Sequence, residues 1–345
     1  MKKRAIITQT APACDWQPQA ADYITDLREL LTLLVLPADA LPAALQAQQD
    51  FPTRVPRSFV ARMEPGNPND PLLRQVLALG EEMQEIPNYV ADPLDEAEHT
   101  PLPGILHKYH GRVLLMATGA CAINCRYCFR RHFPYQEHLP TRERWAALVP
   151  WLQQQNEVQE VILSGGDPLS LSDRRLQELI SRLQQVQHLK RLRIHTRLPV
   201  VMPERVSETL LAMLAQSPWP VVMVLHINHP AELSGTVPAA LQALTQAGVR
   251  LYNQSVLLAG VNDDAPLLAA LSERLFELGI QPYYLHALDK VAGAAHFAVD
   301  EQRASAIVQE LHRLLPGFLL PRWVREEPGA KGKTLLMWDK NQGFL

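Results

Sequence analysis

Residues 112–133 read RVLLMATGACAINCRYCFRRHF, a short apolar strand that leads directly into a loop with three cysteines. Cys121, Cys125 and Cys128 have the spacing C-x3-C-x2-C. Three thiolates on one short loop indicate a metal or cluster site, because soft sulfur ligands select iron–sulfur clusters or zinc. A structural zinc site is normally closed by four protein ligands. The missing fourth ligand therefore favours a [4Fe-4S] cluster that is held by three irons and keeps its fourth iron open to a small molecule.

Zinc is the alternative at this loop. His132 would complete a Cys3His set, although C-x3-C-x2-C is an unusual zinc spacing. Cys14, the fourth cysteine, lies far away in sequence, and we interpret it as a lone thiol. This cysteine usage argues against a disulfide framework and indicates a reducing compartment.

The composition is that of an ordinary globular protein, with 47% apolar and 20% charged residues in a chain of 345. The net charge of −3 implies no general attraction to nucleic acid or to an anionic membrane. The apolar stretch after the basic start MKKR is too short for a signal peptide, and no apolar run is long enough for a membrane span. We therefore predict a cytoplasmic protein.

Strand and helix patterns alternate from about residue 110, which predicts an α/β protein with a parallel sheet. The predicted strands of the six βα units are RVLLMAT, VQEVILSGGDP, LRIHTR, PVVMVLHIN, RLYNQSVLL and QPYYLHAL. Polar residues gather at their carboxyl ends, where barrel enzymes place their sites. Residues 1 to about 100 show apolar residues at helical spacing, as in ADYITDLRELLTLLVL and DPLLRQVLALGEEMQEI, and are predicted to be helical with proline breaks.

Two glycine-containing turns are candidate ligand sites. Gly165 and Gly166 follow an apolar strand, and glycine allows a ligand to approach the backbone closely. A plain βα turn is the alternative, but the cysteine loop at the preceding strand favours a ligand. Lys333, in PGAKGKT, could form a Schiff base with pyridoxal phosphate. A solvated lysine in a hairpin turn is the alternative there, and Lys331 is a competitor.

Charged residues near these turns are candidate substrate ligands. Arg112, Arg130 and Arg131 flank the cysteine loop, and arginine is suited to a carboxylate or phosphate. Asp289 follows a predicted strand and Glu326 precedes the Lys333 turn. If these two acids converge they would bind an ammonium group, with surface acids as the alternative.

These motifs together resemble the lysine 2,3-aminomutase family of radical S-adenosylmethionine enzymes, and in particular its short bacterial branch linked to β-lysylation of elongation factor P. The resemblance covers nearly everything from about residue 95 to the end. The motifs that carry it are HGRVLLMATGACAINCRYCFRR, ILSGGDPL, RIHTRLPVVMPERV, LHINHPAEL, YNQSVLLAGVND, PYYLHALD and EEPGAKGKT.

The resemblance implies a partial (β/α)6 radical SAM barrel over 101–315. An N-terminal helical region over 1–100 would precede it, and a C-terminal segment carrying the pyridoxal phosphate lysine over 316–345 would follow it. Its implied cofactors are a [4Fe-4S] cluster, S-adenosyl-L-methionine and pyridoxal 5'-phosphate. The implied cofactor residues are Cys121, Cys125 and Cys128 for the cluster, Ser164, Gly165, Gly166 and Asp167 for S-adenosylmethionine, and Lys333 with Arg112 for pyridoxal phosphate.

For the substrate, the resemblance implies that Arg130 holds the carboxylate and that Asp289 and Glu326 surround the ε-ammonium of lysine. Two departures stand out: Ala330 and Lys331 interrupt the usual glycine run, and Glu326 stands where the family usually has aspartate. The extra methylene of Glu326 leaves less room for the ammonium and predicts low efficiency on free lysine.

The implied reaction converts L-lysine to the R enantiomer of β-lysine, with flavodoxin or a similar protein as electron donor. A lysyl-tRNA-synthetase-like ligase would attach the product to elongation factor P. Free lysine and lysine already attached to elongation factor P both remain open as substrates. The alternatives are a glutamate 2,3-aminomutase, whose second substrate carboxylate two acids would repel, and a non-catalytic zinc-binding module.

Overall fold

The computed structural model describes residues 16–17, 19–37, 41–138 and 141–336. Cys14 and the basic start of the chain, on which the signal-peptide argument depends, lie outside the described residues. No helix within those ranges has the length and apolar character needed to cross a membrane.

A nine-stranded sheet organises the described chain, in the order β11-β10-β9-β8-β7-β6-β5-β4-β3. A separate antiparallel pair is formed by β1 and β2. The strands are β1 (Tyr23–Ile24), β2 (Val55–Pro56), β3 (Ile105–Tyr109), β4 (Arg112–Thr118), β5 (Glu160–Gly165), β6 (Arg191–Thr196), β7 (Val221–His226), β8 (Arg250–Val256), β9 (Ile280–His286), β10 (Arg322–Arg325) and β11 (Thr334–Leu335).

The six predicted strands are confirmed as β4 to β9, which follow one another in parallel. β10 adds a further parallel strand beside β9. The antiparallel strands β3 and β11 form the two edges, and no pairing joins these edges among the described residues. The sheet is therefore an open, partial barrel. The three-part division of the chain stays a prediction.

Helices follow the parallel strands, as the alternating pattern predicts. In α7 the side chain of Ser172 caps the first turn by accepting from Arg175 N, and Leu176, Leu179 and Leu183 form the buried stripe. The helices are α1 (Leu27–Leu33), α2 (Leu41–Asp50), α3 (Arg57–Val60), α4 (Pro71–Arg74), α5 (Tyr135–His138), α6 (Arg142–Gln154), α7 (Asp173–Leu183), α8 (Leu198–Val201), α9 (Glu208–Ala215), α10 (Val237–Gln246), α11 (Ala265–Glu277) and α12 (Glu301–Leu314).

The N-terminal region is less helical than its apolar periodicity predicts. DPLLRQVLALGEEMQEI holds only α4 and a 3-10 turn at Gly80–Met83, so the prediction that this segment is helical is wrong over most of its length. In ADYITDLRELLTLLVL only α1 is α-helical, while Tyr23–Ile24 forms β1. Tertiary contacts outweigh the local helical preference in this segment. Gln75, just after α4, is fully buried and binds the side chains of Arg197 and Asn228 in the barrel.

The N-terminal region packs on the outer layer of the barrel. Leu27, Phe59 and Leu72 are fully buried and belong to the same apolar cluster as Leu176 of α7 and Leu241 of α10. Burial of each such side chain contributes about 1.5–3 kcal/mol. The region is thus held against the barrel by a continuous apolar core.

Candidate active site

The strand pleat turns polar side chains toward the inner face of the sheet. Leu192 and Ile194 of β6 pack in the apolar core, so His195 points to the opposite face. Burial lowers the pKa of His195, and the positive charges of Arg193, Lys333 and Arg130 lower it further. Charges from the cysteine loop and from the C-terminal segment therefore meet at this inner face.

The cysteine loop connects β4 to α5 and carries three free thiols, at Cys121, Cys125 and Cys128. Burial raises the pKa of Cys121 well above its usual range, and the neighbouring Cys128 thiol adds to the shift. Burial and the Cys125 thiol raise the pKa of Cys128 to about 11. The three thiols thus lie close enough to influence one another, and they would have to lose their protons to bind metal.

These thiols do not surround a single point. Within the described ranges, no three His, Cys, Asp or Glu side chains are grouped closely enough to hold one metal ion. The Nε2 atom of His132, the proposed fourth zinc ligand, lies 3.1 Å from the carbonyl oxygen of Ala292. A zinc site needs four ligands around one ion, whereas thiolates on a [4Fe-4S] cluster each take a different iron. The donor set therefore fits the cluster better than zinc.

A buried carboxylate from the N-terminal region braces this loop. Glu82 accepts from Arg126 Nε at 2.8 Å and from Arg131 Nη2 at 2.8 Å. Arg126 also donates to the carbonyl of Phe51, and Arg131 donates to the carbonyl of Gly293. The loop is therefore tied both to the N-terminal region and to the segment after β9. Sequence reasoning missed Glu82, because nothing in GEEMQEI distinguishes it from a surface acid.

Gly165 and Gly166 fit tightly against the start of the cysteine loop. Gly166 N donates to Thr118 O at 2.7 Å. A Cβ atom on Gly165 would lie 2.5 Å from Thr118 O, and one on Gly166 would lie 2.4 Å from Ala120 O. Gly165 also has φ of +111°, which side chains disfavour. Glycine is therefore required here for the close approach of two backbones, whatever ligand the segment also meets.

The Asp167 carboxylate accepts hydrogen bonds from other groups of the protein. Its oxygens accept from Thr196 Oγ1 at 2.6 Å, from Arg197 N at 2.7 Å, and from the backbone of Leu169 and Leu198 at 3.0 Å. Burial raises its pKa, and these hydrogen bonds oppose that rise. The side chain thus fixes the end of β6 relative to β5. Its predicted contact with S-adenosylmethionine stays a prediction.

Arg130 is buried and forms a two-point ion pair with Glu96. Its Nε and Nη2 atoms each lie 2.7 Å from an oxygen of Glu96, and Nη1 lies 3.3 Å from Ser164 Oγ. Burial alone would lower the pKa of Arg130, but Glu96 reverses this and raises it. A guanidinium group has five N–H donors, and Glu96 uses the two on the edge formed by Nε and Nη2. The edge formed by Nη1 and Nη2 therefore keeps N–H groups that Glu96 does not bind. Glu96 was not predicted from the sequence.

The structure brings Lys333 and Glu326 into contact. The Lys333 ammonium donates to Glu326 and lies 5.6 Å from the centre of the Tyr284 ring. Tyr109 donates to the other Glu326 oxygen at 2.6 Å, and Arg112 stacks on Tyr109 at 4.7 Å. Burial would raise the pKa of Glu326, but the Lys333 ammonium holds it below its usual range.

The two lysines of the glycine turn differ in exposure. Lys333 is partly buried, with 23% of its side chain exposed, whereas Lys331 is an exposed residue. Lys333 therefore fits a covalently bound cofactor inside the barrel, and Lys331 does not. Ala330, which also interrupts the glycine run, does not prevent the turn from placing Lys333 at Glu326.

Asp289 lies in the same group of charges. Burial raises its pKa to about 7, the neighbouring Glu326 carboxylate adds to the rise, and Lys333 opposes it. Its carboxylate accepts no hydrogen bond among the described side chains, so it is free to receive a donor. His286, at the end of β9, likewise has no partner for its Nε2 atom in the described chain. The predicted residues Arg130, Asp289, Glu326 and Lys333 therefore share one interior.

The chain is similar to known proteins over nearly its whole length. The model of the Radical SAM superfamily matches residues 115–270, which run from β4 through the cysteine loop into α11. The chain is 49% identical to the L-lysine 2,3-aminomutase of Escherichia coli over 96% of its own length and 97% of that protein. It is 46% identical to the L-lysine 2,3-aminomutase of Haemophilus influenzae, over 93% and 95% of the two chains.

A third relative matches over part of its own length. The L-lysine 2,3-aminomutase of Clostridium subterminale is 34% identical over 94% of this chain, and the match covers 78% of that protein.

Proposed function

Because the chain belongs to the L-lysine 2,3-aminomutase family of radical SAM isomerases, we propose that it converts L-lysine to β-lysine. One observation carries this proposal. Lys333, Glu326 and Asp289 converge on the inner face of a sheet whose β4 leads into a loop with three free cysteines. A lysine for covalent attachment, two acids for an ammonium and a cluster loop are the parts that such a reaction needs.

The two acids select the substrate. Glu326 accepts from the Lys333 ammonium, and Asp289 belongs to the same group of charges. These two carboxylates would accept the ε-ammonium of a substrate lysine, and Lys333 would hold pyridoxal phosphate. A charge-assisted hydrogen bond of this kind contributes about 1.5–3 kcal/mol. Glutamate is a poorer candidate, because its second carboxylate would face two carboxylates.

Arg130 would hold the other end of the substrate. Glu96 fixes one edge of its guanidinium through two bonds of 2.7 Å. The remaining edge can bind a carboxylate at two points, which fixes orientation as well as charge. Arg130 and the pair Asp289 and Glu326 would then hold the two ends of an extended lysine between them.

The cofactors supply the chemistry that side chains lack. When bound, the [4Fe-4S] cluster and S-adenosylmethionine provide a radical that abstracts hydrogen, and pyridoxal phosphate provides the conjugated system for amino migration. Cys121, Cys125 and Cys128 would hold the cluster, the backbone of Ser164–Asp167 would meet S-adenosylmethionine, and Arg112 would lie near pyridoxal phosphate. The protein's part is to bind and orient these groups and to exclude water from the radical.

The product would serve the β-lysylation of elongation factor P. This part of the proposal rests on the resemblance of the sequence motifs to the short bacterial branch. The partners would be an electron donor such as flavodoxin and a ligase resembling lysyl-tRNA synthetase. The R configuration of the product and the cytoplasmic location likewise stay predictions.

The test is anaerobic incubation of the iron- and sulfide-reconstituted protein with L-lysine, S-adenosylmethionine, pyridoxal phosphate and dithionite. Products are separated by chromatography with authentic β-lysine as standard, and L-glutamate is run in parallel. We expect β-lysine and no β-glutamate. Lysine attached to elongation factor P is the second substrate to offer, since both forms of lysine are open.

The outcomes separate the parts of the proposal. Deoxyadenosine without β-lysine would mean that the radical machinery is assigned correctly and the free substrate is not. A protein with verified iron and sulfide that yields neither product would contradict the radical assignment itself. A colourless protein with one zinc and no bound pyridoxal phosphate would indicate the non-catalytic alternative.

A further inference from the structure

A buried arginine touches the middle cysteine of the loop. Arg197 directly follows β6, and its Nη1 atom donates to the sulfur of Cys125 at 2.8 Å. Only 6% of the Arg197 side chain is exposed. The backbone nitrogen of Arg197 donates to Asp167, so the residue is fixed at both ends. Arg197 is the last residue of the predicted strand LRIHTR, and sequence reasoning gave it no role.

A second charge lies directly behind the guanidinium. Nη2 of Arg197 donates to Glu232 at 2.8 Å and to the side-chain oxygen of Gln75 at 2.6 Å. Glu232 is fully buried and also accepts from the backbone nitrogens of Asn228 and His229. Arg197 itself pulls the pKa of Glu232 below its usual range, although burial acts in the other direction. The carboxylate is therefore held in place as an anion.

We propose that Arg197 and Glu232 set the reduction potential of the cluster bound by Cys125, with opposite effects. A hydrogen bond and a positive charge at a ligand sulfur stabilise the added electron and raise the potential, since hydrogen bonds to the sulfurs and nearby charge are known determinants. Glu232 accepts from the other amino group of the guanidinium, Nη2. Its negative charge partly cancels that of Arg197 and lowers the reduction potential. The inference rests on the proposed cluster and goes beyond it, because it concerns the ease of electron uptake.

The test uses two substitutions by glutamine. Arg197→Gln removes the positive charge, and Glu232→Gln removes the negative charge. Each protein is reconstituted anaerobically without S-adenosylmethionine, and iron and sulfide are measured. The cluster is then titrated with dithionite in the presence of redox mediators, and the electron paramagnetic resonance signal of its reduced form is followed. We expect the midpoint potential to become more negative in Arg197→Gln and more positive in Glu232→Gln.

A matched control comes from the same sheet. Arg193 and Glu160 form an ion pair on β6 and β5, with Nη2 to Oε1 at 2.6 Å. No hydrogen bond joins this pair to a cysteine among the described residues. Arg193→Gln should therefore leave the midpoint potential unchanged. This control separates a local effect at Cys125 from a general loss of positive charge in the barrel.

The outcomes distinguish an effect on the reduction potential from a purely structural role of the two residues. Full iron content with no shift, or with shifts of the same sign in both variants, would overturn the inference. If Arg197→Gln fails to take up iron, Glu232→Gln decides alone, because only a positive shift agrees with the inference. A wild-type protein that binds no cluster would instead contradict the proposed function, and the iron analysis distinguishes this from a failed inference.

Discussion

Glu82 should be among the residues on which stability depends most, and Glu82→Gln is the substitution that tests this. The carboxylate faces two guanidinium groups, and the side chains of Glu82, Arg126 and Arg131 are only 1%, 0% and 2% exposed. The same carboxylate accepts from the backbone nitrogen of Leu79 at 3.0 Å. Glutamine keeps the size of the side chain but removes the charge that compensates two buried cations.

The expected loss in the free energy of unfolding follows from this burial. Removing one partner of a buried ion pair costs about 3–5 kcal/mol, because the remaining charge is left without compensation. Burial already lowers the pKa of Arg126, and Glu82 opposes that shift. Glutamine can still accept one hydrogen bond through its oxygen, so we expect the lower end, about 3 kcal/mol. That is roughly a hundredfold change in the folding equilibrium.

The assay is urea denaturation of the metal-free protein followed by circular dichroism, with linear extrapolation to water. Glu178→Gln is the matched control, since Glu178 pairs with Arg182 on the surface of α7 and is 50% exposed. An exposed pair of this spacing contributes about 0.3–0.5 kcal/mol. Equal losses in the two variants would refute the reasoning. Because Arg126 and Arg131 flank Cys128, the Glu82 variant should also lose iron faster to a chelator after reconstitution.

Lys333→Ala should abolish the visible absorbance of lysine-bound pyridoxal phosphate while Lys331→Ala keeps it, and the reverse result would show that the wrong lysine is assigned. Gly166→Ala should lower iron uptake at least severalfold, because its Cβ atom would lie 2.4 Å from Ala120 O; normal iron content would contradict the packing argument. The KM for lysine should fall as the pH rises through about 7, since burial raises the pKa of Asp289 to about 7 and the ionised form binds the ammonium. In Asp289→Asn that pH dependence should vanish, and an unchanged profile would remove Asp289 from the ammonium site.

The sheet was predictable because parallel strands leave a strong local signal. β4, β5 and β7 contain short apolar runs, as expected of strands covered by helices. β6 instead alternates apolar with polar residues, which is the pattern of a strand with one face in the apolar core, and β8 mixes the two kinds without strict alternation. The polar residues at the strand ends were visible for the same reason, since they interrupt these runs abruptly. The turn alone did not distinguish Lys333 from Lys331, and only the resemblance favoured Lys333; the structure leaves Lys331 exposed and Lys333 partly buried.

The contributions of the N-terminal region were not predictable in this way. Gln75 and Glu82 lie in a segment whose apolar spacing resembles that of a helix, Glu96 lies in a polar stretch, and nothing local marks any of the three as buried. Each is buried because it meets a side chain from the barrel far away in the chain, as Gln75 meets Arg197. Such contacts depend on tertiary arrangement, which periodicity does not encode.

The sequence of the cysteine loop nevertheless indicated that carboxylates from elsewhere in the chain must meet it. Arg126, Arg130 and Arg131 lie beside the cysteines of this loop, and buried guanidinium groups require carboxylates. The barrel strands supply none to these three arginines, whereas the N-terminal region supplies Glu82 to two of them and Glu96 to the third. Arg126 and Arg131 therefore serve to hold the loop. Arg130 differs from both, because its Nη1 atom reaches Ser164 Oγ on β5 while Glu96 of the N-terminal region compensates its charge.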